Sequence, residues 1–223
     1  MTTHQTHTAD HSERAHPHVV VIDNRDSFIY NLVDALAGHH CTVFRNTVSV
    51  ETVLAAKPDL LLFSPGPGHP RETGNMMELL DAIHGEIPVL GICLGFQALL
   101  EHYGGSVEPC GPVHGRSVPM TLTDAGAQHP LFAGLTIDEE PDKPDHIGRL
   151  VPVARYHSLA CANPPEQLQV LATTKTDLGD VAMAAYASDG SCMGLQFHPE
   201  SILSPKGPVL LNRCINFLTK GEC

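Results

Sequence analysis

Residues 88–105 read PVLGICLGFQALLEHYGG, and the local pattern changes abruptly in the middle of this stretch. The short apolar run at its start is typical of a buried strand, and the apolar spacing after Leu94 is typical of a helix. Cys93 lies at the junction, with Gly91 and Gly95 two residues away on either side. A glycine-x-cysteine-x-glycine sequence between a strand and a helix is the cysteine counterpart of the nucleophile elbow, a sharp turn that exposes a reactive side chain.

The predicted elbow would place the Cys93 thiol at the carboxyl edge of a sheet, where α/β proteins locate their sites. The N-terminus of the following helix carries partial positive charge, which favours a thiolate. The flanking glycines remove clashes that Cβ atoms would cause in so tight a turn. The motif alone also suits a buried structural cysteine, so both interpretations stay open at this point.

The residues before this stretch alternate between apolar runs and amphipathic segments. Strands are predicted at HVVVID (18–23), CTVFRN (41–46) and DLLLFS (59–64), and helices at SFIYNLVDALAG (27–38), SVETVLAA (49–56) and NMMELLDAIHG (75–85). Ser27 and Gly38 are suited to cap the first helix, and Ser49 is suited to cap the second. Such alternation predicts right-handed βαβ units and a parallel sheet.

The second half of the chain contains shorter runs that predict additional, partly antiparallel strands. They are SVPMTL (117–122), VPVARY (151–156), LQVLATT (168–174), VAMAAYA (181–187) and CMGLQF (192–197), and a last helix is predicted at 207–220. The predicted fold class is α/β, with a mostly parallel open sheet flanked by helices and extended by antiparallel strands. Residues 18–223 are predicted to form a single domain, since no linker long enough to separate domains interrupts them.

Composition excludes several classes of function. The formal net charge is −12 and only 13 residues are Lys or Arg, so nucleic-acid binding, which neutralises phosphates with such residues, is not expected. No apolar stretch approaches the ~20 residues that span a membrane, and the N-terminus lacks a hydrophobic signal core. A cytoplasmic protein is therefore expected. The seven cysteines include no C-x-x-C pair, which favours reduced thiols over a disulfide framework.

Residues 1–17, MTTHQTHTADHSERAHP, are polar, rich in histidine and without periodicity, and we predict that they form a disordered tail. The alternative is a metal site built from His4, His7, His11 and His16. Their spacing matches no metal-binding motif, so no metal is expected here.

A nucleophilic Cys93 needs a base, and His198 in GLQFHPES (194–201) is the best candidate because it follows an apolar strand. Glu200 lies two residues further on, and residues i and i+2 of an extended backbone face the same side. Glu200 is thus predicted to orient the His198 imidazole while His198 accepts the Cys93 proton. The alternative is an ordinary histidine at a strand end with a nearby surface acid.

An oxyanion hole is also required. The residue after an elbow nucleophile usually donates one backbone N–H, here Leu94. The second donor is expected in SPGPGHP (64–70), where Pro67 has no N–H and the donor is therefore Gly66 or Gly68. A plain turn would explain this segment equally well. The loop DNRDSF (23–28) either lines the same site or caps the first helix.

Taken together, DNRDSFIYNL, SPGPGHP, GICLGFQAL, RYHSL (155–159) and GLQFHPESI resemble the class I, or triad, glutamine amidotransferases. Within that family, DNxDSF and FHPES resemble the glutaminase subunits of anthranilate synthase and aminodeoxychorismate synthase. The resemblance covers roughly residues 18–219 and implies a flavodoxin-like architecture. The extra tail, Arg116 where relatives often carry Lys, and the loop at 138–149 depart from the pattern.

The resemblance implies that Cys93, His198 and Glu200 form a catalytic triad that hydrolyses L-glutamine through a γ-glutamyl thioester. It places substrate contacts at Gly66, Pro67, Gly68, Gln97, Ser158 and Leu159. The predicted oxyanion hole, from the elbow motif, is Leu94 with Gly66, and which glycine of the 66–68 turn donates stays open. Ammonia would pass to a separate chorismate-using synthase subunit, and neither a metal nor a cofactor is implied.

Two interpretations of the partner stay open. The leading one is the glutaminase subunit of anthranilate synthase, and the runner-up is the same subunit in aminodeoxychorismate synthase. Alternatives of other classes are a free-standing cysteine hydrolase of γ-glutamyl bonds and a catalytically idle assembly subunit.

Overall fold

The structure is a computed structural model, and it describes residues 16–113, 115–140, 142 and 146–222. The predicted disordered tail at 1–17, with three of its four candidate metal ligands, therefore lies almost entirely outside the described residues. One nine-stranded sheet contains strands from both halves of the chain, in agreement with the expectation of a single domain at 18–223, which stays a prediction.

The first half forms a regular succession of strands and helices, as the sequence predicts. The strands are β1 (His18–Asp23), β2 (His40–Arg45), β3 (Leu60–Phe63) and β4 (Val89–Ile92); the helices are α1 (Ile29–Ala35), α2 (Val50–Ala55), α3 (Met76–Ile83) and α4 (Leu94–His102). These four strands are parallel, in the order β2-β1-β3-β4.

The second half extends the same sheet. Its strands are β5 (Glu108–Pro109), β6 (Arg116–Leu122), β7 (Leu150–Arg155), β8 (Leu159–Ala160), β9 (Leu168–Thr176), β10 (Gly179–Ala187) and β11 (Cys192–Leu195); its helices are α5 (Asp124–Gln128) and α6 (Gly207–Lys220). β11 pairs with β4 in parallel, and β10, β9, β6 and β7 continue the sheet in antiparallel pairs. β5 and β8 pair separately. The predicted α/β fold class is confirmed.

The sheet separates two apolar layers. In β1, Val19 and Val21 belong to the cluster that includes α1 and α6, whereas Val20 and Ile22 belong to the cluster that includes α2, α3 and α4. This alternation follows from the period of two along a strand. Because both faces are covered, the central strands β1, β3, β4 and β11 are buried along their whole length.

The predicted caps have different outcomes. Ser49 caps α2, because its Oγ accepts a hydrogen bond from Thr52 N at 3.3 Å. Ser27 does not cap α1, which begins at Ile29 after Phe28 without a side-chain cap. The loop before α1 is instead held from its other end, where Asp23 Oδ1 accepts the N–H groups of Arg25 and Asp26 at 2.8 and 3.2 Å.

Candidate functional site

Cys93 occupies the turn between β4 and α4 in a strained backbone conformation, with φ at +52° and ψ at −100°. Residues other than glycine seldom adopt a positive φ, and such strain costs of order 1–3 kcal/mol and tends to occur at active sites. A Cβ on Gly91 would lie 2.5 Å from the carbonyl oxygen of Gly95, and one on Gly95 would lie 2.6 Å from Phe63 Cβ. Both glycines are therefore required by close packing, as the elbow motif predicts.

Neighbouring elements hold the strained residue in place. The Cys93 backbone N–H donates to the Leu195 carbonyl of β11 at 2.7 Å, and its carbonyl accepts the first hydrogen bond of α4, from Gln97 N, at 3.0 Å. The residue is buried, and its side chain stands at the N-terminus of α4. The partial positive charge at that terminus favours a thiolate.

His198 and Glu200 form a buried pair, with 2.6 Å between His198 Nδ1 and Glu200 Oε1. The sequence predicts an extended backbone for this pair, and that prediction is wrong. The segment is a turn, in which Ser201 N donates to the His198 carbonyl at 3.3 Å. The carbonyl also accepts from Ser204 Oγ at 2.7 Å, so the position of the histidine backbone is fixed.

The environment of His198 favours its protonated form. Burial by itself lowers the pKa of His198, but hydrogen bonds and charge interactions with Cys93 and Glu200 outweigh burial and raise the pKa to about 11. Because Nδ1 faces Glu200, Nε2 is the ring nitrogen left to face the thiol. The rings of Tyr156 and Phe28 pack edge-on against the imidazole, at centroid distances of 4.9 and 6.0 Å. The pair can thus hold a thiolate beside an imidazolium.

A cavity of about 250 Å³ opens above the thiol. The predicted site residues that line it are Cys93, His198, Gly66, Pro67, Gly68, Gln97, Ser158 and Leu159. Glu200 lies behind His198, and Leu94 follows Cys93 as the first residue of α4. The structure therefore brings together, around one cavity, residues that the sequence separates by more than a hundred positions.

The turn at 66–68 needs glycine for two different reasons. A Cβ on Gly66 would lie 2.5 Å from the carbonyl oxygen of Asn24 and 3.1 Å from Leu94 Cδ2. Gly68 has φ at +89°, and a Cβ there would meet only Thr73 Oγ1, at 3.9 Å. The turn thus lies against both the first loop and the start of α4, where the Leu94 N–H has no partner within the helix.

Five further residues line the cavity without having been assigned individually from the sequence. They are Asp26, Phe28, Pro65, Tyr156 and His157. The sequence left open whether the DNRDSF loop lines the site or caps α1, and the positions of Asp26 and Phe28 favour the lining role. Burial raises the pKa of Asp26 above its ordinary value, although the nearby His198 charge counteracts part of the rise.

Other kinds of site find no support in the described residues. Among them, no group of three or more His, Cys, Asp or Glu side chains is arranged to hold a metal ion. Cys41, Cys93, Cys110, Cys161 and Cys192 are free cysteines. A search of the described helices finds none with the length and apolar character to cross a membrane.

Comparison with known proteins agrees with this geometry. Residues 20–217 match the family "Glutamine amidotransferase class-I". The chain is 62% identical over 203 residues to anthranilate synthase component 2 of Corynebacterium glutamicum, which covers 90% of this chain and 98% of that protein. It is 39% identical over 200 residues to anthranilate synthase component 2 of Halobacterium salinarum, covering 85% and 92% of the two chains.

Solved structures show the same fold at low identity. A Thermoplasma acidophilum protein described as part of a GMP synthase superposes with a TM-score of 0.74 and 19% identity, covering 93% of this chain and 96% of that one. A glutamine amidotransferase of Thermotoga maritima gives a TM-score of 0.62 at 16% identity, covering 93% and 100%. With a family match that spans most of its length, this chain belongs to the class-I glutamine amidotransferases.

Proposed function

We propose that this chain is the glutaminase subunit of anthranilate synthase, which hydrolyses L-glutamine and delivers ammonia to a chorismate-using synthase subunit for tryptophan biosynthesis. The observation that carries the proposal is the buried His198–Glu200 pair beside a strained Cys93 at the floor of a small cavity. The relatives named anthranilate synthase component 2, at 62% and 39% identity, support the choice of partner.

In the first step, the Cys93 thiolate attacks the side-chain amide carbon of glutamine and a C–S bond forms. The amide oxygen becomes an oxyanion, which backbone N–H donors can stabilise. His198 then donates the proton from Nε2 to the leaving nitrogen, the C–N bond breaks and ammonia departs. The product on the enzyme is a γ-glutamyl thioester.

In the second step, His198 accepts a proton from water, and the resulting hydroxide attacks the thioester carbon. A second oxyanion forms and collapses, the C–S bond breaks, and glutamate departs. Cys93 is then again a thiolate beside a protonated His198. Glu200 keeps the imidazole in one orientation and one tautomer through both steps, because its Oε1 accepts from Nδ1 at 2.6 Å.

The proposed oxyanion hole consists of the Leu94 N–H at the start of α4 and an N–H from the turn at 66–68. Gly66 is the preferred second donor, because its packing against Asn24 and Leu94 fixes it next to α4. Gly68 is the alternative, with a left-handed backbone and few close neighbours, which leave its peptide freer to reorient.

The proposed recognition of glutamine uses the polar atoms that line the cavity. Gln97, Ser158 and Leu159 would contact the substrate together with the 66–68 turn. The Asp26 carboxylate on the cavity wall suits the α-ammonium group of an amino acid, since no hydrogen-bond partner for its Oδ2 exists among the described residues. Buried polar groups of this kind discriminate strongly against substrates that leave them unpaired.

The proposed partner would cover the rim of the cavity. Tyr30 and Ile202 are large apolar residues with 83% and 93% exposure. They follow the two segments that supply Asp26 and His198 to the site, so a protein that buries them would also enclose the mouth of the cavity. Ammonia released at Cys93 could then cross to the partner without meeting bulk water.

The test combines the purified chain with an anthranilate synthase component 1 and supplies chorismate with either glutamine or an ammonium salt. We expect glutamine-dependent anthranilate formation, and faster glutamine hydrolysis in the complex than in the chain alone. Cys93→Ser should abolish amination from glutamine and preserve amination from ammonium.

The other candidate functions give different results in the same assay. If the chain forms an active complex with the aminodeoxychorismate synthase subunit and not with the anthranilate synthase subunit, the folate-pathway role is favoured. Equal glutamine hydrolysis with and without any synthase, and no aminated product, would favour the free-standing γ-glutamyl hydrolase.

A further inference from the structure

Gln196 lies directly after β11, between that strand and His198, and has no role in the proposed triad. Its side chain is completely buried, and its backbone N–H donates to the Met183 carbonyl of β10 at 2.9 Å. A buried side-chain amide is costly unless its polar atoms are paired. Gln196 satisfies that requirement in part through the sulfur of Cys93, which lies 3.7 Å from Gln196 Nε2.

The orientation of the Gln196 amide follows from its neighbours. The Leu159 carbonyl can only accept, so the Gln97 atom that lies 2.9 Å from it must be Nε2. The same Nε2 lies 3.3 Å from the Gln196 side chain and therefore donates its other N–H there. Gln196 must present Oε1 to Gln97, and its own Nε2 must then face Cys93 Sγ.

The far end of this chain of hydrogen bonds is also fixed. His157 Nδ1 donates to the Leu159 carbonyl at 3.0 Å, and its Nε2 accepts from Arg155 Nε at 3.2 Å. Arg155 has no acceptor capacity, so the imidazole is held in a single neutral tautomer. Each group along this chain of hydrogen bonds therefore has a fixed role as donor or acceptor. These fixed roles require Gln196 to present an N–H to the Cys93 sulfur.

We propose that Gln196 is a further catalytic residue, which donates a hydrogen bond to the Cys93 sulfur and favours its thiolate over its thiol. The proposal rests on the assignment of Cys93 as the nucleophile. A thiolate is a far better acceptor than a thiol, so a donor fixed in the protein stabilises the reactive form selectively. Gln97 lines the cavity and also donates a hydrogen bond to Gln196, so a substrate contact at Gln97 would be transmitted to Cys93 through Gln196.

Other groups also influence the state of Cys93. His198 interacts with Cys93 directly, and Glu200 acts on it through His198. Asp26 adds a carboxylate to the wall of the same cavity. Cys110 also interacts with Cys93, and it contacts His157, which accepts a hydrogen bond from Arg155. None of these is altered by a substitution at Gln196 that keeps its size, so the contribution of the amide can be isolated.

The test measures the reactivity of the Cys93 sulfur rather than glutaminase activity. Gln196→Met keeps the length and volume of the side chain and removes the donor. The rate of alkylation of Cys93 by iodoacetamide, resolved from the other cysteines by peptide mapping, is followed across pH. Relative to the wild type, the variant should reach half-maximal reactivity about one pH unit higher, a tenfold loss of thiolate at a given pH. Gln128→Met, at an exposed position of α5, should leave the profile unchanged.

An unshifted profile in a folded Gln196→Met variant would overturn the proposal, because a purely structural residue would change stability without moving the profile. If the variant does not fold, the side-chain amide resonance of Gln196 in ¹⁵N-labelled wild-type protein is followed instead. It should shift with the same pH midpoint as Cys93 alkylation, and a flat response would contradict the contact. If the predicted shift is observed but the wild-type protein has no glutaminase activity, the proposed function is rejected and the role of Gln196 stands.

Discussion

His198 Nδ1 and Glu200 Oε1 are 2.6 Å apart, and a turn rather than a strand brings the two residues together. Both side chains are buried, so the carboxylate interacts with the imidazole in a medium of low dielectric. The pair can therefore hold the imidazole in a single orientation with Nε2 toward Cys93.

We expect Glu200→Gln to lower kcat for glutamine hydrolysis by about 10²- to 10⁴-fold, because the amide removes the charge that stabilises the imidazolium and allows the wrong tautomer. His198→Ala should cost more, since it removes the acid and base themselves. Glu86→Gln, an exposed carboxylate, is the control and should leave kcat unchanged. Steady-state kinetics of the three variants measure the order of these losses in kcat. A His198→Ala variant with unchanged kcat would reject the triad.

The elbow makes a prediction about stability. A Cβ at position 91 would lie 2.5 Å from backbone atoms of Gly95, so Gly91→Ala must displace the start of α4. We expect a loss of about 1–3 kcal/mol in the free energy of unfolding, measured in urea, together with a large loss of glutaminase activity.

Gly38→Ala is the matched control for this elbow substitution. A Cβ at position 38 would have no atom within 4 Å, and the backbone there has no positive φ, so alanine should be neutral or stabilise by about 0.4–1 kcal/mol. Equal effects of the two substitutions would show that the elbow is not tightly packed.

Much of this arrangement could be predicted from the sequence. The order of strands and helices follows from apolar periodicity, and the glycines at 91 and 95 mark the elbow because local sterics demand them. The proposed triad came from two short motifs that each follow a strand, and the proposed substrate contacts were implied by the family resemblance.

The remaining features depend on tertiary structure. Gln196 contacts Cys93 because β11 inserts between β4 and β10, and strand order is not encoded in local patterns. His157 and Tyr156 reach the cavity because β7, at the far edge of the sheet, ends near it. The turn at 199–200 was missed because the i, i+2 argument holds only for an extended backbone.

Because His157 is buried, we predict that it makes the free energy of unfolding depend on pH. Burial, aided by the Arg155 charge, lowers the pKa of His157 from 6.5 to about 4. Between these two pH values the unfolded chain binds a proton that the folded chain rejects, so folding becomes less favourable as the pH falls. The full effect amounts to at most about 3 kcal/mol.

The comparison that isolates this effect is His157→Gln, which cannot titrate. The difference in unfolding free energy between wild type and variant should shrink as the pH falls from 6.5 toward 4. A difference that stays constant or grows over that range would show that His157 is not buried in its neutral form.

Glu101 on α4 links the nucleophile helix to the loop that carries the 66–68 turn. Its buried carboxylate forms an ion pair with Arg71 and lies 3.4 Å from His69 Nε2. We expect Glu101→Gln to loosen this loop, raise KM for glutamine and lower the free energy of unfolding by about 1–2 kcal/mol. Glu72→Gln, an exposed carboxylate on the same loop, should change neither quantity. Equal changes in KM and in the free energy of unfolding in the two variants would contradict a specific role for Glu101.

Affinity labelling tests most directly whether Cys93 attacks the side-chain carbonyl of glutamine. A glutamine analogue with a chloromethyl ketone in place of the side-chain amide is incubated with the chain, and the modified peptide is identified by mass spectrometry. We predict equimolar labelling confined to Cys93, protection by glutamine, and loss of glutamine-dependent but not ammonium-dependent amination in the complex with the synthase. Inactivation with the label on another residue, or with Cys93 unmodified, would contradict the account.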